Sequence, residues 1–252
     1  MMAAMVHSED QAQPWNSPVG PRTFAHAIGW LDLGPDDTLL DVGCGVGEHL
    51  ALALERWPCR GVGVDPDGAA LERARGRLAF AADRVRLQDR SMAEAELGAE
   101  RLAAALCIGS SHAFGDMEVP ESCLPACLET LAGLLQPSGW LLLGEAFWRR
   151  KPDAAYLETT GMQAAELRLE SDLFALFARH GYEAVLSVRS SDTEWDLFEG
   201  ASCARSEAAA HAAPDDAAAQ ATWARKLWRD AYLRWGRTTM GFGTYLLRAP
   251  AG

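Results

Sequence analysis

The residues best placed to do chemistry are three carboxylates and a cluster of glycines. Asp41 ends a short apolar run and opens Asp41-Val42-Gly43-Cys44-Gly45-Val46-Gly47. Gly43 and Gly45 let the backbone turn tightly and approach a ligand closely where a Cβ would collide. Gly47 opens the next helix, whose N-terminal amides attract electron-rich ligand atoms. A second run, Gly61-Val62-Gly63-Val64-Asp65, ends in an acid 24 positions beyond Asp41. A carboxylate there can accept from two ribose hydroxyls at once. A third run, Val85-Arg86-Leu87-Gln88-Asp89, ends in an acid able to accept from an exocyclic adenine amine. Alone, Asp89 reads equally as a strand-end turn residue. Three acids closing three successive strands form one wall of a nucleoside pocket.

Elements that would position these groups follow from the pattern. Strands are expected at 38–42, 61–64, 85–88, 102–108, 140–145, 184–190 and 243–248, with helices at 47–57, 68–81, 121–135 and 171–180. Alternation of strands and helices is the pattern of a parallel sheet with crossover helices. Pro137-Ser138-Gly139 and His180-Gly181 read as helix stops. About fifty residues separate the last two strands, where open α/β folds need a handful. Within them Pro214-Asp215-Asp216 reads as a fresh helix start, and the helix beyond carries Trp223, Leu227, Trp228, Ala231, Tyr232 and Trp235 on one side. That segment is either packed flat on the core or a lid over a substrate pocket.

The glycine loop resembles the first motif of class I, Rossmann-like S-adenosylmethionine-dependent methyltransferases. Asp65 and Asp89 match that class's ribose and adenine acids. The resemblance implies an α/β fold: a seven-stranded sheet, last strand antiparallel, helices on both faces and a helical insertion between strands six and seven. It divides the chain into an arm (1–19), the methyltransferase domain (20–190 plus 238–252) and the insertion (191–237). Implied cofactor contacts are Asp41, Gly43, Cys44, Gly45 and Gly47, then Asp65 with Pro66, Asp89 with Arg90, and Ile108 with Gly109. Gly144-Glu145-Ala146-Phe147-Trp148-Arg149 is similar to a poorly characterised bacterial subgroup of small-molecule methyltransferases. The spacing argues against a nicotinamide dehydrogenase, which prefers G-x-G-x-x-G, and no Gly-Lys-Ser/Thr of a P-loop occurs.

In open α/β sheets the ligand crevice lies beyond the strands' carboxyl ends. His112, Phe114, Phe147, Trp148 and Trp195 are therefore expected at the acceptor. Methyl transfer from an activated sulfonium asks mainly for in-line positioning. A base helps where the acceptor is a phenol, alcohol or protonated amine. His112 is the first choice, since imidazole titrates near neutrality; its other reading is a loop-fixing hydrogen bond. Glu145 is the second choice, or a loop anchor through Ser110 or Ser111. His26, His49, His180 and His211 read as helix-surface or capping residues.

Bulk properties narrow the partners. Lys+Arg number 23 against 35 Asp+Glu, a net charge of −12 that disfavours nucleic acid. Arg73, Arg75 and Arg77, and Arg225, Lys226 and Arg229, read as solvated helix faces. No secretory signal or bilayer-length apolar run occurs. Six cysteines without paired spacing fit reduced thiols in the cytoplasm; Cys123 and Cys127 lack further ligands for a metal. The expectation is a cytoplasmic monomer or homodimer with no membrane partner. It moves a methyl group from S-adenosyl-L-methionine to O or N of a small metabolite and releases S-adenosyl-L-homocysteine. Two other uses of such a pocket stay open: lyase or cyclase chemistry, and cofactor binding without turnover. A lipid acceptor is a further option, though the acidic surface disfavours anionic membranes.

Overall fold

Leucine-, valine- and alanine-rich runs form the central strands of the sheet, buried on both faces, while its two edge strands are largely exposed. The computed structural model describes residues 17–98, 101–212 and 216–251. Its strands are β1 (Thr38–Val42), β2 (Arg60–Asp65), β3 (Val85–Asp89), β4 (Leu102–Ile108), β5 (Leu135–Trp148), β6 (Arg168–Leu169), β7 (Glu183–Arg189) and β8 (Met240–Arg248). The order is β3-β2-β1-β4-β5-β8-β7, with the two-residue β6 beside the end of β5. Strands β1 to β5 pair in parallel, and β8 runs antiparallel to both β5 and β7. Chain order reverses between the neighbours β1 and β4, which opens a crevice beyond their carboxyl ends.

The helices are α1 (Pro21–Ile28), α2 (Glu48–Arg56), α3 (Gly68–Arg77), α4 (Cys123–Leu134), α5 (Ala154–Thr160), α6 (Glu170–Arg179), α7 (Asp192–Ala212), α8 (Asp216–Ala231) and the single turn α9 (Arg237–Thr239). Period-two alternation splits the core: Leu142 of β5 joins Phe24, Leu50 and Trp195 on one side. Leu141 and Leu143 join Leu128 and Phe177 on the other.

The structure departs from the sequence reading in three places. α1 and α5 are additional helices; Phe24, Ala27 and Ile28 give α1 its buried stripe. β5 begins at Leu135, because Pro137-Ser138-Gly139 is an excursion within the strand, where pairing shifts between Leu102 and Ala104 and Ser138 has φ 59°. In α8 and the turn that follows it, Trp223 is 67% exposed, whereas Trp228, Ala231, Tyr232 and Trp235 pack inward. The inward set follows i, i+3, i+4, i+7, so Trp223 and Leu227 belong to another stripe. The helix start read at Pro214-Asp215 lies outside the described residues, as do positions 1–16 of the arm. Among the described residues no helix is long and apolar enough to cross a membrane.

Candidate active site

The turn after β1 is built from backbone hydrogen bonds. Gly43 and Cys44 donate to the Val64 carbonyl at 2.8 and 3.2 Å, and Gly47 donates to Cys44 at 2.8 Å. Gly43 adopts φ +66°, and Ser110 from the β4 loop fills the space a Cβ would need. Gly45 adopts φ +51°, and its Cβ position is open. The Asp65 carboxylate accepts from Gly45 N–H through Oδ2 and from Asp67 N–H through Oδ1, both at 2.8 Å. Beneath them Asp41 is fully buried, and its Oδ2 finds no partner among the described residues. Burial first, and the Asp65 charge second, push the Asp41 pKa up to about 8. The open position at Gly45, braced by the Asp65 carboxylate, fits a polar, nucleoside-bearing ligand.

This turn floors a cavity of about 380 Å³, within the range of small-ligand sites. Gly43, Cys44, Gly45, Asp65, Pro66 and Arg90 all line it. Ile108, Gly109 and His112 line the side formed by β4 and its loop. Trp195 reaches the cavity from α7, stacked on Tyr232 at 6.1 Å and edge-on to Phe242 at 6.0 Å.

Other expected residues lie elsewhere. Phe147 is wholly buried against the α4–α6 side, with Arg189 over its ring at 5.6 Å, because alternate positions of β5 face that core. Trp148 packs edge-on to Tyr156 at 6.3 Å, and its Nε1 donates to the Ala164 carbonyl at 2.8 Å. Phe114 also packs on the α4–α6 core. Glu145 points to that same side and hydrogen-bonds Ser111; its Oε2 has no partner among the described residues, and burial raises its pKa to about 7. It is therefore placed as a loop anchor, away from the cavity wall. Asp89 is exposed and abuts Gly68 at the start of α3, leaving Arg90, Ser91 and Met92 to form that wall. Asp41 and Gly47 sit behind the lining, Gly47 against Ala74 and Leu78.

Sequence reasoning offered a lid here but missed most of the residues that line the cavity from it. Glu199, Phe198 and Ser202 of α7 and Arg225 and Trp228 of α8 all line the cavity. Glu199 is only 7% exposed and accepts Trp195 Nε1 at 3.1 Å and the Trp228 indole. Its signal was the i, i+4 spacing of Trp195 and Glu199. Arg73 and Arg225 face the cavity instead of forming solvated faces. His49, read as a surface residue, also lines it; it lies 4.5 Å from the Phe24 ring, and burial lowers its pKa to about 4.

Strand order, an antiparallel β8 and a glycine turn at the order reversal define the fold of class I, Rossmann-like methyltransferases, the class that uses S-adenosylmethionine. Residues 39–139 match the family model for a methyltransferase domain. Over 231 residues, 87% of each protein, the chain is 26% identical to the uncharacterized protein YjhP of Escherichia coli K12. A crystal structure of an S-adenosylmethionine-dependent methyltransferase from Geobacter sulfurreducens, in complex with S-adenosyl-L-homocysteine, matches with a TM-score of 0.82 at 25% identity, covering 94% of each chain. One from Thiobacillus denitrificans, likewise in complex with S-adenosyl-L-homocysteine, gives 0.83 at 24% identity over 98% of each chain. At that identity the second likeness speaks for the fold alone.

Proposed function

We propose that the protein transfers a methyl group from S-adenosylmethionine to an oxygen or nitrogen of a small metabolite, in the cytoplasm. The observation that carries this reading is the continuity of one cavity from the glycine turn and Asp65 to an aromatic roof, with His112 along its wall. Bound there, S-adenosylmethionine supplies a methyl group on a sulfonium, which the acceptor atom takes by in-line SN2 displacement, leaving S-adenosylhomocysteine. Asp65 and the glycine turn seat the nucleoside. His112 accepts the proton that the acceptor oxygen or nitrogen gives up. The roof excludes water and seats the acceptor. A polymer would need an open, basic groove, which a roofed cavity and a net charge of −12 do not supply. Six buried free thiols fit a reducing compartment.

The test is calorimetric titration of S-adenosylmethionine and S-adenosylhomocysteine into wild type and Asp65→Ala, followed by S-adenosylhomocysteine release with a panel of hydroxyl and amine acceptors. Micromolar binding, weakened at least about tenfold in the variant, and acceptor-dependent release support the reading. Folded wild-type protein that binds neither ligand refutes it.

A further inference from the structure

Of the carboxylates that line the cavity, Glu199 is the one carried by the roof, far along the chain from the glycine turn. It is almost fully buried, and the groups that hold it are neutral: the indole N–H groups of Trp195 on its own helix and Trp228 on α8. A carboxylate offers about four acceptor positions, so two indoles leave capacity on the cavity side. Arg225, a permanently charged guanidinium, acts on Glu199 electrostatically from α8. Trp195, Phe198 and Trp228 line the cavity together with Glu199. Aromatic faces attract cations and repel anions, and a buried carboxylate is stabilised best by a charged, hydrogen-bonding partner.

We propose that Glu199 recognises the methyl acceptor and that the acceptor carries a protonated amine, seated beneath α7 and α8 against Trp195, Phe198 and Trp228. The assignment rests on the methyltransferase reading above. The amine is a recognition handle: its N–H groups donate to the free positions of the carboxylate, and its charge lies over aromatic carbon. A polar link tying α7 to α8 would need only a neutral acceptor at this position. A carboxylate pointed into the cavity adds charge selectivity.

Three probes of similar size and different charge test this: 2-phenylethylamine, 2-phenylethanol and 3-phenylpropionate. Each is titrated into wild type and Glu199→Gln saturated with S-adenosylhomocysteine, by calorimetry and by indole fluorescence. In the wild type the amine should bind about tenfold or more tightly than the alcohol. Glu199→Gln should erase that preference and leave S-adenosylhomocysteine affinity within about twofold. Equal binding of amine and alcohol, or no binding of the amine, overturns the proposal. Tighter binding of 3-phenylpropionate overturns it too and makes Arg225 the recognising charge. A parallel loss of S-adenosylhomocysteine affinity in Glu199→Gln would move the residue to the cofactor half, again overturning it. Should Glu199→Gln fail to fold, Glu199→Asp withdraws the charge by one methylene; an unchanged amine preference in that variant refutes the assignment. Wild-type protein that fails to bind S-adenosylhomocysteine is a different result, and it counts against the methyltransferase reading itself.

Discussion

Asp65 Oδ2 accepts the backbone N–H of Gly45 at 2.8 Å, joining the acid at the end of β2 to the turn after β1. The nucleoside wall and its floor are thus one unit, assembled before any ligand arrives. The two glycines of that floor should respond differently to a methyl group. Gly45→Ala meets open space, so its folding cost is the left-handed backbone alone, about 1 kcal/mol. The methyl would occupy the floor of the cavity, and S-adenosylhomocysteine affinity should fall more than stability does. Gly43→Ala instead collides with Ser110 and should destabilise by about 3 kcal/mol. Thermal unfolding beside calorimetric binding separates the two. Equal loss of stability in both variants would refute the idea that Gly45 faces ligand.

Asp41 sets a pH dependence of known sign. Its pKa is raised from 3.8 to about 8 in the folded protein, so between those values the folded state holds a proton that the unfolded state has released. Stability from this group is complete below pH 4 and declines as pH rises toward 8. Asp41→Asn should therefore gain on wild type in unfolding temperature across that interval, and the gain should level off above it. His49 acts in the opposite sense. Its pKa is lowered from 6.5 to about 4, so its contribution is lost as pH falls through that window. An Asp41→Asn advantage that is constant with pH would mean the carboxylate is already ionised in the native state.

The nucleoside end was legible because backbone geometry dictates it. A strand, a tight glycine turn and a helix leave little choice of residue, and the acid at the end of β2 must face the turn. Gly43, Gly45 and Asp65 could thus be placed at the cavity from spacing, whereas Asp41 and Gly47 lie behind its lining. The acceptor end depends on which face of a strand or helix points inward. Glu145 and Phe147 stand at the crevice end of β5, yet they alternate to the face covered by α4 and α6. Only Ala146 between them reaches the cavity. Glu199 was hidden for a related reason. Its helix is alanine-rich with little amphipathic bias, and the buried stripe is made by tertiary contact with Trp228 and Tyr232.

His112 and Glu145 should part company in kinetics. His112 lines the cavity, and losing a general base costs about 100-fold or more in turnover. His112→Ala should show that loss with S-adenosylhomocysteine affinity unchanged. Glu145 holds Ser111, next to His112, from the opposite face. Glu145→Gln keeps a hydrogen-bonding side chain and should retain turnover within about threefold. With its native pKa near 7 against an ordinary 4.5, the carboxyl costs stability increasingly as pH rises through that range. Glu145→Gln should therefore unfold at a higher temperature than wild type at pH 8, while the two converge at pH 4. A turnover defect in Glu145→Gln as deep as that of His112→Ala would return Glu145 to the chemistry.

The pair α7 and α8 is fastened at its base. Glu194 in the first turn of α7 accepts from Gly20 N–H at 2.8 Å and Thr23 Oγ1 at 2.9 Å, which ties it to α1. Two residues on, Asp196 accepts from Tyr232 Oη at 3.0 Å and Arg237 Nε at 2.9 Å, which ties α7 to the segment after α8. Farther out, the helices hold each other through Thr222 Oγ1 to the Ser206 carbonyl at 2.9 Å and Lys226 to Glu207 at 2.8 Å. A roof anchored this way should open at its outer end and pivot on Asp196. The clamp is partly exposed, so Asp196→Ala should cost only about 1 kcal/mol of global stability. Local opening needs only that clamp to fail, so cleavage within 192–239 under limited proteolysis should accelerate well beyond the change in unfolding temperature. In the wild type, S-adenosylhomocysteine together with an acceptor analogue should slow the same cleavage, because ligand beneath the roof stabilises the closed state. Cleavage indifferent to ligand would make α7 and α8 a fixed wall packed on the core, with substrate entry elsewhere.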